Sequence, residues 1–177
     1  ACVEAMWTRF LPTTDIVRQL LASGALGEVE TFTADHGQWF ALDPASRLFA
    51  PGLAGGALLD LGVYPVSYAS FVLGAPTGVV ARGTLTETGV DRQVSAVLTY
   101  ASAAQSVVHT TLAARTPTVA AISGSEARIE LDGPFYAPGV VRLVTRDGEV
   151  HEWAPPVIEG HLGLCHEAAH VAQLQQA

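Results

Sequence analysis

Between Thr77 and Trp153 the chain offers seven short runs of β-prone residues, and nothing there has the length and period of a helix. The runs fall at 79–86, 93–100, 105–113, 119–123, 127–131, 140–146 and 149–153. Asp147-Gly148, between the last two, has the chemistry of a two-residue hairpin turn. Sequential strands joined by short loops pair with their neighbours, so this half of the chain predicts a mostly antiparallel meander. A sheet with one wet face alternates cleanly between apolar and polar residues. "AVLTY" and "SVVHTTLAA" instead put apolar side chains on both faces. One face must take helices. The other meets a second subunit, or the pattern reflects β-propensity alone.

The residues before Thr77 supply the helices. In "PTTDIVRQLLASG", Thr13 or Thr14 can cap a helix, Asp15 suits its first turn and Gly24 its end. Ile16, Val17, Leu20 and Leu21 form its apolar stripe. "GGALLDLGVYPVSYASFVLG" reads as a second helix, which Pro65 should kink or split because proline has no amide hydrogen. Residues 1–8 and 28–37 alternate as strands. Residues 37–54, with Trp39, Phe40, Phe49 and two prolines, read as a structured loop, and 166–176 as a last helix.

Composition narrows the function. The chain carries nine arginines, no lysine and seventeen acidic residues, a net charge of −8, with no basic stripe for nucleic acid. It is 49% apolar, with mean hydropathy +0.32. No apolar run reaches the length a bilayer span needs, and no basic start leads into a cleavable apolar segment, so neither a membrane nor a signal peptide is expected. Cys2 and Cys165 are too few for a disulfide framework, and a reducing cytoplasm fits better.

Two motifs carry chemistry. His166, Glu167 and His170 make H-E-x-x-H, which on a helix lets two imidazoles share zinc beside a glutamate base. Such a site needs a third ligand. None follows His170, and His161 lies just ahead of the helix, so a zinc hydrolase is the remote reading. The second motif is "GGALLDLGVYP". Asp60 and Tyr64 are four apart and share a helix face. Burying them is costly without partners. The pair is either a core tyrosine bonded to Asp60 or part of a site. Gly62 inside the helix costs about 1 kcal/mol against alanine and so implies a packing or functional reason.

"EAMWTRFLP" at 4–12, "GGALLDLGVYPVS" at 55–67, "TLTETGVD" at 84–91 and "GSEARIEL" at 124–131 stand in order at fitting distances. Together they resemble the C-terminal part of the glucose-fructose oxidoreductase/inositol dehydrogenase (Gfo/Idh/MocA) family, nearest its dihydrodiol and xylose dehydrogenase branch. The resemblance covers essentially the whole chain. It implies an α+β fold with an open, mostly antiparallel sheet, helices on one face, and a homodimer through the other. It also implies a substrate held against the nicotinamide of NAD or NADP, which a separate Rossmann domain binds. Residues 1–12 then read as the remnant of the last Rossmann strand and crossover. Residues 13–177 read as a substrate-binding and oligomerisation domain, truncated at its end.

By the same resemblance Asp60 and Tyr64 match the family's Asp-x-x-x-His/Tyr pair and are the catalytic candidates. Trp7 and Arg9 match residues beside cofactor and substrate. Arg47, Trp39, Phe135 and Tyr136 are further candidates for substrate binding, each equally readable as a surface arginine or a core aromatic. The departures matter as much. No G-x-G-x-x-G follows a strand, and with no lysine the family's catalytic lysine cannot come from this polypeptide. The chain alone is therefore expected to be inactive and to bind dinucleotide weakly. The runner-up is a non-catalytic ligand-binding or dimerisation module.

Overall fold

The computed structural model describes residues 5–154 and 160–174. Eight strands form one sheet: β1 (Val29–Gly37), β2 (Gly78–Leu85), β3 (Asp91–Thr99), β4 (Gln105–Thr111), β5 (Ala120–Gly124), β6 (Ala127–Leu131), β7 (Val141–Thr145) and β8 (Val150–Trp153). Their order is β2-β3-β4-β1-β5-β6-β7-β8. The meander expected from sequence is present in two pieces, and β1 is wedged between them. It runs antiparallel to β5 but parallel to β4. The link from β4 to β5 is bonded to β1 as well: the Asp35 carboxylate accepts the amides of Thr118 at 2.7 Å and Val119 at 3.2 Å. The Asp147-Gly148 turn closes β7 on β8, with Gly148 at φ +91°.

Helices α1 (Pro12–Ala22) and α2 (Val63–Leu73) cover one face of the sheet. The inward residues of β1, Phe32, Ala34 and His36, are all buried there. Phe32 stacks on Tyr68 of α2 with ring centroids 5.8 Å apart, and Val17, Ile122, Ile129 and Val141 complete this core. Burying each such side chain contributes about 1.5–3 kcal/mol. A smaller cluster of Phe49, Ala57, Leu61, Val90 and Leu112 lies under the 38–54 loop. The third helix, α3 (Leu164–Leu174), packs on the turn at Trp7–Phe10.

Several local expectations need correction. Residues 5–8 are not a strand: Trp7–Phe10 is a 3₁₀ turn, and residues 1–4 lie outside the described residues. A strand needs a neighbour to bond its backbone. Here Trp7 is buried beside Tyr136 instead, and the backbone bonds itself through Arg9 N–H to Met6 O at 3.0 Å. Neither Thr13 nor Thr14 caps α1, because Pro12 starts the helix one residue earlier. Both threonines are buried, and the Thr14 hydroxyl donates to Thr8 O. At the other end Gly24 takes φ +72°, as a helix stop requires. Pro65 lies inside α2, and the helical run is divided just ahead of it. The chain widens into a π-turn at Leu58–Gly62 and continues as α2. Finally, the helical stretch Pro51–Leu73 does reach bilayer-spanning length, with 23 residues and hydropathy 1.3 in its most apolar window. In this fold it lies on the sheet and carries an Arg47–Asp60 ion pair.

The sheet's other face is open and divided. On the β2–β4 side Val80, Val97 and Val107 stand directly opposite one another and are exposed. On the β6–β8 side it is charged, with Arg128 bonded to Glu130 at 2.6 Å and Arg142 to Glu152 at 2.8 Å.

Candidate functional site

The π-turn that carries Asp60 is held by side chains from the sheet. Thr110 of β4 donates its hydroxyl to Ala57 O at 3.2 Å. Asp91 of β3 accepts the Leu58 amide at 2.6 Å, which satisfies a donor that a helix start leaves free. Gly62 lets this backbone approach β4, since a Cβ there would lie 3.0 Å from Thr110 Cγ2 and from Leu58 Cδ1. That is the packing reason its position called for. The third tie comes from β1: His36 Nδ1 is 3.0 Å from Leu61 O.

Held this way, Asp60 and Tyr64 are both partly exposed. Asp60 is ion-paired to Arg47 from the 38–54 loop, with 23% of the Asp60 side chain still open to solvent. No hydrogen bond joins Asp60 to Tyr64 among the described residues. A π-turn adds residues to the helical turn, so the i,i+4 alignment expected of an α-helix does not carry through it. Tyr64 instead packs among aromatic rings. Its centroid is 4.8 Å from Tyr136 and 5.4 Å from His36, and Tyr136 lies 4.5 Å from His36. Burial raises the Tyr136 phenol above its ordinary value, the neighbouring Tyr64 adds to this, and the Gln38 amide partly offsets it.

The other candidates fall in different places. Trp7 and Phe135 are each 4% exposed and stand behind Tyr136, at 6.3 and 6.1 Å. Thr8 fixes the same segment by donating to Tyr136 O at 2.8 Å. Arg9 is exposed and bonds Ser67 of α2, from Nε to Oγ at 3.0 Å and from Nη2 to the carbonyl at 3.2 Å. Trp39 is 60% exposed. It borders a separate groove of about 450 Å³ with Phe40, Leu42, Phe49, Leu85 and Arg92. The structure therefore pairs Asp60 with Arg47 and Tyr64 with Tyr136. It adds His36, Gln38, Asp91 and Thr110, none of which was singled out from sequence. The sequence signals only the need, not the residue that meets it: a proline at 65 leaves the carbonyl of residue 61 without its usual helical donor.

In the H-E-x-x-H segment Glu167 is buried and His170 lies against Phe10 at 5.0 Å. Among the described residues no three His, Cys, Asp or Glu side chains converge to hold a metal ion.

His36 is 1% exposed, and burial lowers its pKa from the ordinary 6.5, against smaller upward pulls from the Leu61 carbonyl, Asp35 and Asp60. Below pH 6.5 the unfolded chain takes up a proton that the folded one refuses. Stability therefore falls as pH drops from 6.5 towards the lowered folded value. Urea midpoints between pH 7 and pH 5 should show this slope, and His36→Phe should flatten it. An unchanged slope would show that His36 is not held neutral.

A family model described as the GFO/IDH/MocA C-terminal domain matches residues 15–130. The chain belongs to the Gfo/Idh/MocA family. It is 34% identical over 176 residues to trans-1,2-dihydrobenzene-1,2-diol dehydrogenase of Xenopus tropicalis, covering 97% of this chain and 53% of that protein. The Homo sapiens protein of the same name is 33% identical over 177 residues, covering 96% and 52%. The chain thus spans about half the length of the curated relatives it matches. Among solved structures, levoglucosan dehydrogenase with NADH and L-sorbose superposes with a TM-score of 0.81 at 19% identity, over 94% of this chain and 54% of that one. A mutant 3-ketoreductase of Actinomadura kijaniata with TDP-benzene and NADP gives 0.80 at 21%, over 97% and 53%. These likenesses show the fold: the open α+β sheet of a Gfo/Idh/MocA C-terminal domain. Its described residues contain no glycine-rich strand–turn–helix unit, so they do not by themselves form the phosphate cradle of a dinucleotide site.

Proposed function

We propose that this chain is the substrate-binding and dimerisation half of an NAD(P)-dependent oxidoreductase acting on a sugar, polyol or cyclic trans-diol. The observation that carries the reading is that a tethered turn and the helix it leads into present the Arg47-paired Asp60 and a partly exposed Tyr64, in a chain whose relatives are named diol dehydrogenases. A nicotinamide cofactor, held by another part of the protein, supplies the hydride acceptor. The residues here handle the alcohol. Tyr64 takes the hydroxyl proton. The Arg47–Asp60 pair offers donors and acceptors to the neighbouring hydroxyl, and Tyr136 walls the opening. Arg9, exposed beside α2, borders the cofactor. Trp7, beneath the surface, sets the position of Tyr136.

The dimer forms through the open sheet face, where Val80, Val97 and Val107 make an exposed apolar ladder. The exposed thiol of Cys165 suits a reducing, cytoplasmic setting. The test is turnover by the full-length protein. NAD⁺ or NADP⁺ should be reduced with a cyclic trans-diol or an aldose. A folded protein that binds dinucleotide yet oxidises none of these alcohols would refute the reading.

A further inference from the structure

We propose that His36 is a positioning residue: its Nδ1–H replaces the helical hydrogen bond that Pro65 cannot give, and so fixes the turn that carries Asp60 and leads into Tyr64. This rests on the functional reading above for its effect on turnover, but not for the tether itself.

The chemistry follows from three neighbouring atoms. In an α-helix the amide of residue 65 would bond the carbonyl of Leu61. Proline has no amide hydrogen. Leu61 is 4% exposed, so water is not an easy substitute; the Val63 amide reaches the same carbonyl, but a donor only two residues along is poorly aligned and does not replace the helical bond. His36 Nδ1 lies 3.0 Å from that oxygen. A carbonyl only accepts, so Nδ1 must carry the proton. In a neutral ring Nε2 then has a lone pair, and the Gln38 side-chain amide sits 3.1 Å from it as donor. Both ring nitrogens are thereby satisfied with the imidazole uncharged, as its burial favours.

Leu61 is the residue after Asp60 and three before Tyr64, so the tether acts on the backbone between them. The same imidazole meets the rings of Tyr64 and Tyr136. His36 therefore sets the height of the turn above the sheet and the packing of the phenol that works from it. It touches the backbone and the supporting rings, and the substrate is handled by others.

The test uses the full-length protein. His36→Phe keeps a ring of similar size but removes the donor. We expect kcat to fall roughly 10- to 100-fold with the KM for dinucleotide unchanged, as misplacing a working group by about an ångström does. Pro65→Ala restores an amide at 65, so the double variant His36→Phe/Pro65→Ala should recover most of the lost kcat. A histidine that merely fills space would not be rescued this way. ¹⁵N imidazole spectra of the wild type should show His36 protonated at Nδ1 alone. An Nε2–H tautomer, full kcat in His36→Phe, or a double variant as slow as the single one would each overturn the proposal. A wild type without turnover would sink the functional reading, while the ¹⁵N spectrum would still decide the tether. If His36→Phe does not fold, a double variant that folds supports the tether, and one that also fails to fold counts against it.

Discussion

Replacing Tyr64 with phenylalanine in the full-length protein should lower kcat by about 100- to 10,000-fold, the range that a positioned proton acceptor supplies. The fold should survive, because the change removes one oxygen from a partly exposed ring and leaves the packing on Tyr136 and His36 in place. No hydrogen bond from the Tyr64 hydroxyl to a described residue would be lost. Dinucleotide affinity should hold, since the described residues contain no glycine-rich phosphate cradle. The expected result is thus a loss in kcat with thermal midpoint and cofactor binding near wild type. A variant that turns over at wild-type rate would take the proton-accepting role away from Tyr64. Tyr136, 4.8 Å away with a phenol that burial makes harder to ionise, is then no ready substitute. Arg47→Ala offers a contrast. It leaves Asp60 without its charge partner, so it should weaken substrate binding and raise KM more than it lowers kcat.

What was legible in the sequence is what local chemistry determines. The strands follow from period-two runs of Val, Thr and Ile, and the β7–β8 turn from Asp147-Gly148. The end of α1 follows from Gly24. The place of β1 was not legible: nothing local tells Val29–Gly37 to enter between two strands that lie far downstream. Trp7 misled because a 3₁₀ turn with one inward aromatic can mimic a strand over a few residues. The π-turn was half visible. Gly62 and Pro65 marked a disturbance, but its form depends on Thr110, Asp91 and His36, which reach it from three different strands. The same non-local logic hid the Arg47–Asp60 pair. A bond from Asp60 to Tyr64 along the helix was one of two readings open from sequence, and a loop arginine takes the carboxylate instead. Asp60 and Tyr64 themselves could be picked out because two polar groups on an apolar helix need an explanation.

Gly56→Ala should be strongly damaging, costing about 2–4 kcal/mol from strain at an unfavourable φ together with loss of a helix-start bond. Gly56 has φ +114°, where side chains are rarely tolerated. Its added Cβ would also overlap the Asp91 carboxylate, the group that holds the Leu58 amide. The damage therefore passes from backbone to tether to the turn bearing Asp60, and activity should fall with stability. Gly89→Ala separates the two causes. Gly89 has φ +89° and open space around it, so its variant should show strain alone, about 1 kcal/mol. A double-mutant cycle makes the overlap explicit. Once Asp91→Ala has removed the carboxylate, Gly56→Ala has nothing left to collide with and should cost little more than Gly89→Ala does. Additive losses in that cycle, or equal losses at Gly56 and Gly89, would mean that Asp91 does not hold the turn. The candidate site would then rest on His36 and Thr110 alone.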